Sequence, residues 1–391
     1  MSSFDVAIIG GGVIGCSIAL ELAAEKLNVV VLDRDEPAQG ASWAAAGMLS
    51  PGPDSPESLL LVPFAKESLR LYPGFIAALE EASGLSTGFA RGGTLAPFFE
   101  PDGESQRDLM VAEYRRMGIP IEPIPLEAAR ELESGLGPAA RALAWLPDEA
   151  TVDPRLLMAA LLIAISQRCV EIRSGYTVTS VLCESDRCTG VMAGGKRISA
   201  KTVVVAAGCY SATITKGNAP EDIWLARYAP THPVRGQMVA LRSTQLHLRR
   251  VLRSERGYVV PRPDGRIVAG STLEDVGFEN HVTPAGMLKI LDAALELVPA
   301  LANAEVKETW SGLRPGTPDH LPILGPTDIE GLFIATGHYR NGILLAPATA
   351  KLLRDCILRG KIASDTEVFS PLRFAARKPQ AVNSKRATAL S

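Results

Sequence analysis

Residues 4–34, FDVAIIGGGVIGCSIALELAAEKLNVVVLDR, decide the fold. They read as a strand over 5–9, a turn at Gly10, Gly11 and Gly12, a helix over 13–26 and a second strand over 28–32. The acid Asp33 closes the second strand. A strand that turns through Gly10-x-Gly12-x-x-Gly15 into a helix is suited to holding a dinucleotide. Gly10 permits the tight turn, Gly12 lets the backbone approach a pyrophosphate, and Gly15 lets the helix lie close to the strand. The helix N-terminus offers N–H groups and a positive dipole end to the phosphates. Asp33 can accept hydrogen bonds from a ribose, and its charge repels a 2′-phosphate, which argues against NADP. These residues leave NAD and FAD equally open.

The rest of the composition narrows the class. A chain of 391 residues, 47% hydrophobic and 21% charged, is an ordinary globular sequence long enough for two domains. A formal net charge of −3 gives no reason to expect nucleic acid or an anionic membrane as partner. The six cysteines (Cys16, Cys169, Cys183, Cys188, Cys209, Cys356) have no C-x-x-C pair and no zinc spacing, which fits free thiols in a reducing cytosol. The five histidines show no metal spacing either. Asp5 and the glycines interrupt the first apolar run, so no signal peptide is expected. The longest apolar run, 156–165, is too short to span a bilayer. The expectation is a cytoplasmic protein without membrane, nucleic-acid or metal partner.

Along the chain, the small-residue stretch QGASWAAAGMLSPGP (39–53) lets the backbone lie against something flat. Residues 57–83 predict a helix, or two broken at Pro73. A strand over 92–99, a charged helix over 104–117, and a loop with a short helix over 121–136 follow. Short β runs fill 169–208 and return the chain to the first sheet. More β runs fill 233–283, then an amphipathic helix covers 284–297. Residues 310–325 read as turn-rich, and 331–358 as strand, loop and long helix. The tail 375–391 carries four positive and no negative charges and is expected to be disordered.

Two features carry candidate chemistry beyond the glycine turn. Arg314, in an apolar Gly-Leu-Arg-Pro-Gly-Thr turn, can clamp a carboxylate with two parallel bonds. Tyr258, at the start of a strand, can set its hydroxyl on the same anion. The run Gly337-His338-Tyr339-Arg340-Asn341-Gly342-Ile343 opens a second helix, whose dipole suits negative charge developing on a flavin ring. No nucleophile elbow or Walker loop occurs.

The runs VAIIGGGVIGCSIALELA, AAAGML (44–49), VVVAAGCYS (203–211), GYVVPRPDGRIVAGST (257–272), WSGLRPGTPD (310–319) and GHYRNGILLAPAT (337–349) resemble the D-amino-acid oxidase-like family of FAD-dependent amine oxidoreductases. They occur in the family's order and reach nearly the whole chain, to about residue 374. Within the family the likeness is strongest to members that oxidise glycine. The resemblance implies FAD rather than NAD, held without a covalent link because 310–345 lacks the cysteine through which some relatives attach it.

It further implies an α/β (α+β) fold. A Rossmann-like FAD-binding domain would be assembled from 1–88, 146–220 and 305–374, and a mainly antiparallel-sheet substrate domain from 89–145 and 221–304. By matching motif, Val13 and Ile14 would line the pyrophosphate with Gly10, Gly12 and Gly15. Asp33 and Arg34 would meet the adenosine, with the backbone of Val178 on its adenine side. Ala41, Ser42, Ala46, Gly47 and Met48 would run beside the cofactor and its ring. His338, Tyr339, Arg340, Asn341, Gly342, Ile343 and Leu344 would wrap the pyrimidine edge, with Arg340 facing the active site. Arg314 would bind the substrate carboxylate, assisted by Tyr258. The loop 49–53 and a strand over 268–273, with Leu273 as an apolar wall, would border the side-chain space.

The implied reaction passes a hydride from the α-carbon of a neutral amine to flavin N5. Dioxygen then reoxidises the flavin, so that glycine gives glyoxylate, ammonia and hydrogen peroxide. Small amines such as sarcosine or D-alanine would also react, and the glycine imine could supply the thiazole of thiamine. A homo-oligomer such as a tetramer is the implied assembly. The alternatives are a sarcosine oxidase or D-amino-acid dehydrogenase of the same family, and a non-catalytic flavin-binding subunit.

Overall fold

The computed structural model describes residues 3–53, 55–217, 224–360, 362 and 364–375. The expected boundary at 220–221 and the tail from 376 onward lie outside the described residues. Residue 375 itself ends a short helix, Leu372–Ala375.

Phe4–Ile9 is the centre of a nine-stranded sheet. It pairs in parallel with Val29–Leu32 on one side and with the second half of Lys196–Val205 on the other. Lys196–Val205 is the end of the series of short β runs. Its first half pairs antiparallel with Arg187–Ala193, and its second half enters the parallel sheet beside Leu332–Thr336. Strands buried on both faces favour β-branched residues, and Val29, Val30, Val31, Val203, Val204 and Val205 are all buried. The helix Val13–Ala24 packs against the helices Gly342–Arg359 and Pro154–Gln167 over one face of this sheet, and the helix Val62–Ser83 packs on those same two helices.

The second sheet has eight strands in the order Glu305–Gly316, His232–Arg242, Arg266–Gly270, Tyr258–Pro261, Val251–Arg253, Thr94–Phe98, Ala142–Leu146, Glu122–Ile124. Its pairings are antiparallel except that Val251–Arg253 runs parallel to Thr94–Phe98. The helix Pro284–Leu297 covers one face, with Ile290, Ala294 and Leu297 buried against Leu252, Val259 and Ile267. The mixed α/β class, with one largely parallel and one largely antiparallel sheet, matches the expectation.

One expectation needs correction. Residues 310–316 are not a turn but the end of the strand Glu305–Gly316, and Arg314 stands opposite Val234 in a continuous ladder. Gly312, Pro315 and Gly316 read as breakers, yet this strand lies at the sheet's edge, where a missing N–H is tolerated. Gly312 serves close approach: a Cβ there would stand 2.4 Å from the Cβ of Ala44. The twelve residues from 305 therefore join the eight-stranded sheet rather than the first. Of the two readings of 57–83, the structure has the single helix, Val62–Ser83, which runs through Pro73 unbroken. Its buried stripe of Val62, Ala65, Ser68, Tyr72, Ile76 and Leu79 continues on both sides of the proline and outweighs one lost backbone bond.

Candidate active site

A long cleft runs from the glycine turn to the face of the eight-stranded sheet, lined by residues of both sheets. At one end, Gly10 takes φ +106°, and a Cβ there would stand 2.4 Å from the carbonyl oxygen of Ala206, so only glycine fits. The helix ladder begins with Cys16 N–H donating to the Gly12 carbonyl at 3.0 Å. The N–H groups of Val13, Ile14 and Gly15 therefore precede the ladder; that of Val13 donates to Ser42 Oγ at 2.9 Å. Asp33 accepts from the Gly11 N–H at 2.6 Å and the Asp35 N–H at 3.0 Å. Burial pushes its carboxyl pKa up, against those two bonds. The Arg34 guanidinium lies 3.8 Å above the ring of Tyr210, which stacks in turn on Phe278 at 4.9 Å.

The middle of the cleft is floored by the loop Ala44, Ala45, Ala46, Gly47 and Met48. Two side chains from the second sheet and its connections fasten this loop by its carbonyls. Trp310 Nε1 donates to the Ala44 carbonyl at 3.1 Å, and the buried Arg262 donates to those of Ala46 (2.5 Å) and Val152 (2.9 Å). Arg155 lies 3.6 Å above the Trp43 ring while holding Glu308 with two bonds, at 2.9 and 3.1 Å.

At the far end, Arg314, Tyr258 and Arg340 line the same cleft. Arg314 Nη2 donates to Ser271 Oγ at 2.7 Å and Nη1 to the Thr272 carbonyl at 3.2 Å. The guanidinium lies over Gly236, where a Cβ would stand 2.2 Å from both Nη1 and Nη2. The segment carrying Ser271 and Thr272 is fastened in turn by Glu274. Its carboxylate accepts from Arg235 Nε (2.7 Å), Gln237 Nε2 (2.9 Å) and Thr272 Oγ1 (3.2 Å). Burial pushes the Glu274 pKa up, but the bonds from Arg235 and Gln237 outweigh it and hold the group below its ordinary value. Tyr258 is buried, its hydroxyl 3.3 Å from Met238 Sδ.

The second helix N-terminus meets this end. Tyr339, at φ +50°, donates its N–H to the Pro315 carbonyl at 3.0 Å, which ties the loop to the strand that carries Arg314. His338 is buried, with Nε2 3.1 Å from Thr349 Oγ1. Burial pushes its pKa down to about 3, so the imidazole is neutral at neutral pH. Pro347 removes the ladder donor that would reach the Ile343 carbonyl. Tyr72 Oη donates to that carbonyl at 2.5 Å. Ser68 Oγ donates to the Leu344 carbonyl at 2.6 Å and accepts from the Ala348 N–H at 3.3 Å.

Most of the residues singled out in the sequence meet in this cleft: Gly10, Gly12, Val13, Ile14, Asp33, Arg34, Ala41, Ser42, Ala46, Gly47, Met48, Val178, His338, Tyr339, Arg340, Gly342 and Ile343 all line it. Three do not. Gly15 lies beneath the turn, where an added Cβ would stand 2.0 Å from the Gly10 carbonyl oxygen. Asn341 caps the helix, its carbonyl accepting from the Leu345 N–H at 2.8 Å. Leu344 is buried behind the wall. The loop 49–53 is not part of the lining, and Pro51 faces a separate cavity beside Glu149. The strand ends at Gly270, and Leu273 is 63% exposed, so Ser271 rather than Leu273 reaches the cleft.

The glycine turn and first helix N-terminus suit a pyrophosphate. The flat small-residue loop, backed by a second helix N-terminus, suits a ring that gains negative charge, so the residues present fit FAD. Residues 5–356 match the family model described as FAD dependent oxidoreductase. The chain belongs to this FAD-dependent oxidoreductase family. This oxidoreductase is 38% identical over 361 residues to the bifunctional protein ThiO/ThiG of Trichormus variabilis, covering 91% of this chain and 53% of that protein. It thus spans about half the length of the bifunctional relatives it matches. It is 34% identical over 378 residues to the glycine oxidase of Geobacillus kaustophilus, covering 95% of this chain and 97% of that one. The crystal structure of glycine oxidase from the same organism superposes with a TM-score of 0.87, at 31% identity over 95% of this chain and 98% of that one.

Several residues of the oxidoreductase's cleft went unread in the sequence: Tyr210, Gly236, Met238, Ser271 and the fasteners Arg262, Trp310 and Glu274. Gly236 carried a readable signal, since a glycine inside a strand marks close approach of another group.

Proposed function

We propose that this FAD-dependent oxidoreductase oxidises glycine, and more slowly other small amines such as sarcosine or D-alanine, with dioxygen as final electron acceptor. Glycine, dioxygen and water would yield glyoxylate, ammonia and hydrogen peroxide. The observation that carries the reading is Arg314, held by Ser271 and Thr272 against Gly236 in the same cleft as the flat loop 44–48. An amino acid whose carboxylate sits on that guanidinium must direct its α-carbon along the cleft toward the loop. The named glycine oxidase relative, matched over nearly its whole length, supports the same substrate class.

When bound, FAD supplies the two-electron acceptor. Gly10, Gly12, Val13 and Ile14 would hold its pyrophosphate, with Gly15 packing beneath. Asp33, Arg34 and Val178 would hold its adenosine. Ala41, Ser42, Ala46, Gly47 and Met48 would support the ring, and His338 to Leu344 its pyrimidine edge. The neutral His338 adds no charge of its own, so the helix N-terminus at Gly342 and the Arg340 guanidinium supply the positive potential on that side. Arg314 orients the carboxylate, and Tyr258 and Arg340 complete the anion's surroundings. With the amine bound in its neutral form, no side chain is required as a general base.

On this reading the segments 1–88, 146–220 and 317–374 form the cofactor unit, and the eight-stranded sheet presents the substrate. Among the described residues no helix is long and apolar enough to cross a membrane. A cytoplasmic homo-oligomer, supplying glycine imine for the thiazole of thiamine, completes the proposal. Anaerobic titration of flavin absorbance with glycine, sarcosine, D-alanine and D-proline tests it. Glycine should bleach the flavin. Bleaching by D-proline far ahead of glycine would overturn the substrate, and no bleaching by any amine would leave a non-catalytic flavin protein.

A further inference from the structure

The hairpin formed by Val178–Glu184 and Arg187–Ala193 lies toward one edge of the nine-stranded sheet. It sets two of the cysteines directly opposite each other, Cys183 against Cys188. The N–H of Cys188 points away from its partner strand, donating to the Glu330 carbonyl at 2.8 Å. That marks a non-hydrogen-bonded pair, in which Cα atoms stand about 4.5 Å apart and side chains approach most closely. Disulfides span Cα separations of about 4.4–6.8 Å, so this pair can close without moving the strands. Cys183 is half-buried and Cys188 is buried.

The chemistry of the two thiols differs. A hydrogen bond from the Cys188 thiol, then the charge of Lys216, hold the Cys183 pKa down to about 7 against the effects of burial and Asp186. This direction favours the Cys183 thiolate, the form that reacts with oxidants. Burial pushes Cys16 and Cys209 up to about 12 and Cys356 up to about 11, which disfavours their thiolates. Cys188 is raised too, chiefly by its hydrogen bond to Cys183 and then by burial, so Cys183 reacts first and Cys188 follows as the resolving sulfur. Cys169 is exposed and lies outside the strands, with no cysteine opposite it.

We propose that Cys183 and Cys188 are a modification site, a dithiol that hydrogen peroxide closes to an intramolecular disulfide. The Cys183 thiolate attacks one peroxide oxygen and the O–O bond breaks. Cys183 becomes a sulfenic acid, and the departing hydroxide leaves as water with the proton Cys183 gave up. The Cys188 sulfur then attacks the sulfenic sulfur, the S–O bond breaks, and a second water leaves with the Cys188 proton. Two thiols are oxidised by two electrons and one peroxide is reduced by two. The inference rests on the proposed oxidase activity only for the source of the peroxide.

The test uses the full-length holoenzyme, reduced, freed of reductant and exposed to added hydrogen peroxide without substrate, then alkylated and digested for peptide mass analysis. Cys183 and Cys188 should lose alkylation together, as one linked species lighter by two hydrogens, while Cys16, Cys209 and Cys356 stay alkylated. Cys188→Ser should stop at a Cys183 sulfenic acid that a 1,3-dione traps, and Cys183→Ser should leave Cys188 reduced. The proposal is overturned if both cysteines remain alkylated after Cys169 has been oxidised, or if Cys183 links to Cys169 instead. A second arm replaces added peroxide with glycine in air and should give the same disulfide, suppressed by catalase. A disulfide from added peroxide but none from glycine would uphold the dithiol and count against the oxidase.

Discussion

Replacing Gly236 by alanine is expected to disable the anion site while leaving the fold intact. A Cβ at this position would stand 2.2 Å from Nη1 and Nη2 of Arg314 and 2.4 Å from Cζ, far inside contact distance. The obstructing group is the end of a flexible side chain, so the guanidinium gives way rather than the backbone. Gly236 is not among the positive-φ glycines, so alanine meets no conformational penalty there. Giving way takes Nη2 off Ser271 Oγ and Nη1 off the Thr272 carbonyl, and turns the planar fork from its set direction. A hydrogen bond with a charged partner is worth about 1.5–3 kcal/mol, so two lost to a substrate carboxylate cost about 3–6 kcal/mol. That is roughly a hundredfold to ten-thousandfold in kcat/KM for glycine. Steady-state kinetics beside FAD content and thermal unfolding separate this loss from misfolding. In an Arg314→Ala background, Gly236→Ala should cost little more, because both act through one guanidinium. Unchanged kcat/KM in the single variant, or fully additive losses in the double one, would refute the reasoning.

Three further outcomes are expected. His338 has its pKa pushed down to about 3 from about 6.5 unfolded, so between those values the unfolded chain binds one proton more and stability rises with rising pH at ~1.4 kcal/mol per unit. Urea unfolding between pH 4 and 6.5 should show that slope reduced by this amount in His338→Gln, and equal slopes would mean that the ring is not held neutral. Ser68→Ala removes the hydroxyl that joins the Leu344 carbonyl to the Ala348 N–H and should lower the unfolding free energy by about 1–3 kcal/mol; no loss in denaturant titration would show that the break at Pro347 does not need it. Acid precipitation of the holoenzyme should leave the yellow colour in the supernatant, whereas colour kept in the pellet would mean a covalent flavin.

What the sequence made legible was local. Residues 4–34 carry strand, turn and helix periodicities in direct succession, and the structure follows them to within two residues at each end. The helix 284–297 was equally open to reading, because Thr283 caps it and Pro284 starts it. The strand through Arg314 was not, since Gly312, Pro315 and Gly316 signal a turn unless the edge position and the approach of Ala44 are known. The fasteners of the cleft were hidden for another reason. Arg262 and Trp310 hold carbonyls of residues 216 and 266 positions away, and nothing beside them in the chain names those partners. Glu274 likewise reads as one more surface acid until Arg235 and Gln237 are brought beside it.

Oxygen consumption and peroxide release from glycine in air, measured beside dye reduction under nitrogen, test the oxidase reading most directly. One peroxide and one glyoxylate are expected for each dioxygen consumed, with glycine at or near the top of a series containing sarcosine, D-alanine and D-proline. One methylene shifts such preferences by only about 1–3 kcal/mol, so sarcosine and D-alanine should be slower rather than silent. Dye reduction by glycine without peroxide in air would contradict the oxidase assignment and make the protein a dehydrogenase.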